Sequence, residues 1–139
     1  LMYHPDGARD SDWVLIDFQD ALRGPVVYDL VALLRDSYII LEPELVSDLV
    51  DDYVESGRDA GLEWCDDREA LHRAFHLQTV QRKLKDAGRF VYIDREKNNP
   101  DFLEYYEPSI QYVDTALQAL PGWDALRDLL HRVDDSLEA

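Results

Sequence analysis

Asp17 has the residue type and the setting of a magnesium ligand. It follows the apolar strand segment over residues 14–16 and precedes Phe18, where the strand pattern ends. A carboxylate at the tip of a buried strand is held beside the cleft that the turning chain leaves open, and hard oxygen ligands suit Mg²⁺. A metal ion so placed supports phosphoryl transfer by neutralising charge on phosphate oxygens. The local pattern alone, however, is more often a turn cap than a metal ligand.

A longer run around Asp17 is far more specific. It resembles the aminoglycoside phosphotransferase superfamily, also called choline kinase-like, and is nearest the bacterial N-acetylmuramate/N-acetylglucosamine kinase branch. The turn His4-Pro5-Asp6-Gly7 stands where that family has a hairpin, so the strong resemblance covers about residues 1–40. The run reads Ile16-Asp17-Phe18-Gln19-Asp20-Ala21-Leu22-Arg23-Gly24-Pro25-Val26-Val27-Tyr28-Asp29-Leu30-Val31, and Leu33-Leu34-Arg35-Asp36 continues it.

The resemblance implies a role for each acidic residue of the run. Asp17 matches the metal-binding aspartate of the kinase Asp-Phe-Gly motif, although Gln19 stands where that motif has glycine. Asp29 matches an aspartate that supports the catalytic loop, and Asp20 is placed near the cleft as a second supporting residue. The implied reaction is phosphorylation by ATP of a sugar hydroxyl group, of the amino-sugar or aminoglycoside type, with Mg²⁺ as cofactor.

The family's catalytic loop, of the form His-x-Asp-x-x-x-x-Asn, does not occur in residues 1–139. The resemblance places that loop just before Leu1-Met2. We therefore expect the C-terminal part of a kinase-like large lobe, without the small lobe and without the catalytic base. No catalytic residue is assigned within this chain, and the segment alone is expected to be inactive.

Three further residues are candidates for contact with the substrate. Arg35 and Asp36 follow the helix that Asp29 opens, and Arg82 begins a basic cluster in an otherwise acidic chain. This cluster could contact an anionic sugar or a phosphate, or it could be a solvated face with acidic neighbours. Its members are Arg82, Lys83, Lys85, Arg89, Arg95 and Lys97.

Two other groups have both a functional and a structural interpretation. His72 and His76 share a helix face, a spacing that can bind zinc, but no third ligand accompanies them. Contact with a sugar, or a plain surface position, suits them better. The aromatic side chains could stack on a sugar ring, but core packing is their more common role; they are Phe90, Tyr92, Phe102, Tyr105, Tyr106 and Tyr112.

Composition limits the classes of partner. The net charge of −16 disfavours binding to nucleic acid or to anionic membranes. No run approaches the roughly 20 apolar residues of a membrane span, and the single cysteine, Cys65, fits the reducing cytoplasm. The alternative to an enzyme lobe is a non-catalytic helical interaction module, or a degenerate kinase relative, that binds a basic partner. The sequence leaves the oligomeric state open.

The elements that would position these residues form one mainly α-helical domain over residues 1–139, with a small β-hairpin over residues 1–18. Apolar spacing predicts helices over residues 26–36, from Pro43 to the glycines at 57 and 61, from about residue 67 through Ala87, over 101–120 and over 124–137. Gly88 is expected to end or kink the third helix. Leu84 is expected to face inward.

Overall fold

The structure is a computed structural model that describes residues 2–3, 13–14, 16 and 22–137. Two short strands, β1 (Met2–Tyr3) and β2 (Trp13–Val14), pair antiparallel, with Met2 opposite Val14. The residues that would join them lie outside the described ones. The hairpin over residues 1–18 therefore stays a prediction.

Helices dominate the remaining described residues, as the sequence predicts. They are α1 (Tyr28–Leu34), α2 (Pro43–Asp59), α3 (Arg68–Lys97), α4 (Tyr106–Gln118) and α5 (Asp124–Val133). Three short 3-10 helices complete the described part: Glu63–Cys65, Pro100–Tyr105 and Asp135–Leu137. Among the helices in this part of the chain, none combines the length and the apolar character that a bilayer crossing requires.

Local chemistry explains where the longer helices begin and end. Pro43 occupies the first turn of α2, where a missing N–H costs nothing. Asp67 caps α3, and its side chain accepts a hydrogen bond of 2.9 Å from the Ala70 N–H. The helix ends at Asn98, whose left-handed backbone (φ 50°) directs its N–H to the Ile93 carbonyl.

The third helix differs from the prediction at two positions. It continues without interruption through Gly88 for 30 residues in total, because glycine inside a helix lowers propensity without blocking the helix sterically. Leu84 is 39% exposed, whereas Lys83 takes the inward position between Val80 and Ala87. The expected end of the helix at Gly88 and the expected inward position of Leu84 were therefore wrong.

The two C-terminal helices are shorter than predicted. The segment over residues 101–120 begins as a 3-10 helix, and α4 then starts so that Pro108 lies in its first turn, where proline is tolerated. The last helix ends at Val133. The Tyr106 hydroxyl donates to the Asp134 carboxylate, which raises the tyrosine pKa to about 12 and ties the end of α5 to α4.

Two apolar clusters lie along α3. The first joins α1 and α2 to the first half of α3 through buried side chains that include Val31, Val50 and Phe75. The second joins α4 and α5 to the second half of α3 and includes Val113 and Leu130. Since α3 contributes to both clusters, it is the helix against which the other helices are held.

Candidate functional site

The acidic residues of the family-like run fall into two groups. Asp17 and Asp20 lie outside the described residues, so their roles as metal ligand and supporting residue remain predictions. Asp29 is exposed in the first turn of α1. This helix starts where the Tyr28 N–H donates to the Pro25 carbonyl at 3.0 Å. The supporting role of Asp29 also remains a prediction.

Asp36 and Arg82 line the same cavity, whose volume is about 410 Å³. The cavity lies between the loop after α1, the middle of α3 and the start of the segment that leads into α4. Tyr38, Phe90 and Phe102 form its aromatic walls. The fold thus brings together two of the three substrate-contact candidates from distant parts of the sequence.

Basic side chains outnumber acidic ones around this cavity. Four of the six members of the basic cluster line it, and the remaining two, Arg95 and Lys97, are exposed further along α3. The charged side chains that line the cavity are Arg82, Lys83, Lys85, Arg89, Asp36 and Asp86. The basic cluster is therefore divided between a cavity wall and a solvated helix end.

Lys83 is the buried member of this group, with 3% of its side chain exposed. Its ammonium donates to the Ser37 hydroxyl at 2.9 Å and to the Asp86 carboxylate at 3.3 Å. Lys85, which is about half exposed, contacts the other oxygen of Asp86 at 3.3 Å. Burial lowers the pKa of the Lys83 ammonium, and the Asp86 carboxylate opposes that shift. One carboxylate is thus shared by two ammonium groups.

A chain of hydroxyl groups connects Lys83 to α4. Ser109 is fully buried, and its hydroxyl donates to the Tyr105 carbonyl at 2.8 Å. Because this uses its one proton, Ser109 accepts from the Ser37 hydroxyl, whose oxygen lies 2.8 Å away. Ser37 in turn accepts from Lys83. We call Lys83, Asp86, Ser37 and Ser109 the Lys83 seam. It fixes the loop after α1 against both α3 and α4.

Asp36 and Arg82, the two predicted residues in the cavity, are each held by a neighbour. Asp36 Oδ1 accepts a hydrogen bond of 2.9 Å from the Tyr38 N–H. The Arg82 guanidinium lies 5.0 Å from the centroid of the Tyr28 ring, within cation–π range. Because Tyr28 precedes Asp29 at the start of α1, Arg82 connects the cavity to the family-like run.

Arg35, the third candidate, has different surroundings. Its guanidinium lies 5.1 Å from the centroid of the Tyr112 ring and 5.6 Å from that of Phe75. Burial lowers the Arg35 pKa. The Tyr112 hydroxyl is buried without a hydrogen-bond partner among the described residues, and burial raises its pKa. Arg35 is therefore packed against aromatic rings and is not among the residues that line the cavity.

The two histidines line one open cavity of about 480 Å³, but they have different neighbours. His72 Nε2 lies 2.8 Å from Oδ1 of Asp51 on α2, and Asp51 also pairs with Arg68. The pKa of His76 is lowered by burial and by the nearby charge of Arg35. Within the part of the chain that the structure describes, no group of three or more His, Cys, Asp or Glu side chains is placed to hold a metal ion. His72 thus serves to join two helices.

The interpretation of the sequence missed the Lys83 seam. Lys83 stands three residues after Val80 and four before Ala87, and this helical spacing was the signal that could have identified it as inward-facing. The apolar side chain of Leu84 indicated the wrong register. Ser37 and Ser109 carry no such signal, because they meet only through tertiary packing.

A comparison with protein families matches this chain over residues 2–67 to the phosphotransferase enzyme family. The matched segment contains the whole run from Ile16 to Asp36 on which the resemblance rests. It ends at Asp67, the cap of α3. The resemblance is therefore confirmed at the level of the family.

Curated relatives of this chain are named N-acetylmuramate/N-acetylglucosamine kinase. The one from Neisseria meningitidis is 47% identical over 98 residues, which cover 66% of this chain and 29% of that protein. The one from Pseudomonas putida is 32% identical over 116 residues, covering 84% of this chain and 34% of that protein. The one from Pseudomonas aeruginosa is 32% identical over 125 residues, covering 90% and 37%. The chain thus spans about a third of the length of these relatives, and no solved structure matches it.

Proposed function

We propose that this chain, which matches the phosphotransferase enzyme family, is the C-terminal lobe of an ATP-dependent kinase. The kinase would phosphorylate a hydroxyl group of an amino sugar. The observation that carries the proposal is the match over residues 2–67, which includes Asp17 and Asp29. Relatives that are 32% to 47% identical are named as kinases of N-acetylmuramate and N-acetylglucosamine. This similarity supports the reaction class, whereas the acceptor must be argued from the site.

Asp17 is the proposed magnesium ligand, with Asp20 and Asp29 as supporting residues. One protein carboxylate is a sufficient ligand count for Mg²⁺ when substrate phosphates complete its coordination. A magnesium ion bound there would supply charge neutralisation on the transferred phosphate. The net charge of −16 repels nucleotide phosphates, so ATP needs a metal cation or locally clustered basic residues to bind.

The cavity lined by Asp36 and Arg82 is the proposed acceptor site. Its volume of about 410 Å³ lies within the range of small-molecule sites, and it combines aromatic walls with hydrogen-bonding groups. The contact between Arg82 and Tyr28, beside Asp29, supports a link between acceptor binding and the family-like run.

The complete coding sequence provides the first test. It should encode His-x-Asp-x-x-x-x-Asn before Leu1, with the aspartate as catalytic base and the asparagine as the second metal ligand. A complete protein in which this loop lacks its aspartate would contradict the kinase hypothesis.

Turnover by the complete protein provides the second test. With Mg-ATP and a panel of N-acetylmuramate, N-acetylglucosamine, an aminoglycoside and choline, at least one amino sugar should be phosphorylated. Asp17→Ala should abolish turnover because the metal ion loses its ligand, while circular dichroism remains unchanged. Asp48→Ala, on the exposed face of α2, is the matched control and should retain full activity.

Two outcomes of that assay would contradict the proposal. An active Asp17→Ala protein would show that the metal assignment is wrong. Phosphorylation of choline alone would exclude a sugar acceptor while leaving the family's reaction class in place.

An exposed apolar surface at the end of α1 and in the loop that follows favours one alternative function. Leu33, Tyr38, Ile39 and Ile40 are each more than half exposed. Neighbouring apolar side chains on a surface are common at sites of protein interaction. A non-catalytic interaction module, or a degenerate kinase relative, would have this surface and would show no turnover with any acceptor in the panel.

A further inference from the structure

The cavity beside α3 has a charge opposite to that of the chain. Four basic and two acidic side chains line it, which leaves an excess of two positive charges, whereas the chain as a whole has a net charge of −16. In a chain with so many acidic residues, a basic wall without a function would be expected to be neutralised by acidic neighbours. A local positive excess in an acidic protein instead concentrates anions at that place.

Lys83 is the basic residue of this wall whose charge is least stabilised by water. Its side chain is 3% exposed, and Asp86, the carboxylate that it contacts, is also engaged by Lys85, while Asp36 adds a longer-range attraction. The contacts with Ser37 and Asp86 account for two of the three hydrogen-bond donors of the ammonium. A buried cation whose contacting carboxylate is shared with a second cation gains from an anionic ligand, because burial makes incompletely compensated charge costly.

The remainder of the wall combines apolar and hydrogen-bonding groups. Phe90 and Phe102 stack on each other, with an interplanar angle of 5° and ring centroids 6.3 Å apart, and form an apolar side of the cavity. Asp36 uses Oδ1 to hold the Tyr38 N–H, and among the described residues its other oxygen accepts no hydrogen bond, so it suits a ligand hydroxyl. A ligand that combines a ring, hydroxyl groups and one anionic group matches these features together.

We propose that this cavity binds the carboxylate of an acidic amino sugar through Lys83 and Arg89, and so favours acidic over neutral acceptors. The inference rests on the proposed sugar kinase function and deepens it by assigning the residues that select the acceptor. Lys83 supplies the charge at the buried end of the cavity, and Arg89 supplies a second, exposed charge that lines the same cavity from a different face of α3. A single carboxylate suits the site better than a phosphate dianion, because Asp36 and Asp86 would repel the second negative charge.

N-acetylmuramate and N-acetylglucosamine form a matched pair of probes, since the first carries a lactyl carboxylate that the second lacks. Binding to the complete protein without nucleotide should be measured by calorimetry. N-acetylmuramate should bind the wild type about tenfold more tightly or better, as expected for one charged hydrogen bond. Lys83→Met should remove this preference and change the affinity for N-acetylglucosamine by less than about twofold.

Arg89→Gln keeps the inference testable if Lys83→Met fails to fold, because Arg89 is exposed and its replacement leaves the interior intact. It should reduce the preference for the acidic sugar about threefold, since an exposed charge is partly screened. Lys97→Met and Arg95→Gln remove the same charges from exposed positions of α3 outside the cavity. Both controls should bind the two sugars as the wild type does.

Each result decides a different claim. If the wild type phosphorylates both sugars and neither Lys83→Met nor Arg89→Gln changes their affinity ratio, the carboxylate site is overturned and the sugar kinase function stands. If inorganic phosphate binds more tightly than N-acetylmuramate and loses its affinity in Lys83→Met, the cavity is a phosphate site and the inference is wrong. If N-acetylmuramate binds with the expected dependence on Lys83 but no sugar is phosphorylated, the kinase function fails and the carboxylate site stands.

Discussion

Three carboxylates of the described residues, Asp51, Asp86 and Asp114, each lie between two basic side chains, and the last two have the most different surroundings. Asp86 does so in the Lys83 seam, at 3.3 Å from each lysine ammonium. Asp114 does so between α4 and α5, at 2.7 Å from Arg127 and 2.6 Å from His131. We call Asp114, Arg127 and His131 the Asp114 cluster. Both groups join helices, so their difference must come from their surroundings.

Water distinguishes the two groups. The side chains of Arg127 and His131 are 34% and 37% exposed, so solvent completes their hydrogen bonding and screens their charge. The Lys83 side chain is 3% exposed and faces the cavity. The same arrangement of charges thus fastens two helices in one place and, under our proposal, serves a ligand in the other. Burial, and not the pairing pattern, separates a structural ion cluster from a binding site.

Charge reversal should separate the two groups most strongly. Lys83→Glu places a carboxylate beside Asp86 in a buried position and removes the donor to Ser37, so the free energy of unfolding should fall by about 3–5 kcal/mol. Arg127→Glu reverses a charge of the Asp114 cluster at the surface and should cost clearly less. Urea unfolding followed by circular dichroism at neutral pH measures both. Equal losses would show that burial does not govern the difference.

Removal of single hydroxyl groups should give an intermediate effect. Ser109 and Thr115 both donate to the carbonyl four residues earlier in α4, at 2.8 Å and 2.9 Å, but Ser109 is fully buried. Ser109→Ala should lower the free energy of unfolding by about 1–2 kcal/mol, because Ser37 also loses its acceptor. Thr115→Ala, the exposed control, should stay within about 0.5 kcal/mol. Matching losses in the two variants would contradict the structural importance of the Lys83 seam.

The Asp114 cluster should give the smallest effect, and one that depends on pH. The hydrogen bond from Arg127, followed by that from His131, holds the Asp114 pKa below its ordinary value of 3.8. Since the folded pKa is depressed, Asp114 stabilises the native state above about pH 4, and this stabilisation is lost as the pH falls through the folded pKa. Asp114→Asn should therefore cost about 1 kcal/mol at neutral pH and flatten the acid side of the stability profile.

Thermal unfolding between about pH 2 and pH 7 measures this profile. Asp48→Asn, at an exposed position of α2, is the control and should follow the wild type at every pH. An Asp114→Asn profile parallel to that of the wild type would show that the cluster contributes nothing through its ionisation.

The sequence predicted the helical class, the family and most helix starts, because these depend on local spacing and on a contiguous run. The predicted starts of α2 at Pro43 and of α3 near residue 67 are examples of local signals that the structure confirms. The cavity that joins Asp36 to Arg82 could not be predicted, since two loops and two helices must pack before those side chains meet. The buried position of Lys83 was missed for the opposite reason. Its helical spacing from Val80 and Ala87 was visible in the sequence, but its charge led us to expect an exposed side chain.

The unbroken length of α3 should determine how its backbone amide protons exchange with solvent. A helix of 30 residues extends for about 45 Å, and both apolar clusters are packed along it. The two clusters adjoin near the centre of α3, where Phe75 belongs to the first and Val80 to the second, so the opening of one cluster leaves that part of the helix packed in the other. The amide protons at the centre of α3 should therefore exchange only when the whole molecule unfolds, whereas those of the seven-residue α1 exchange through local opening.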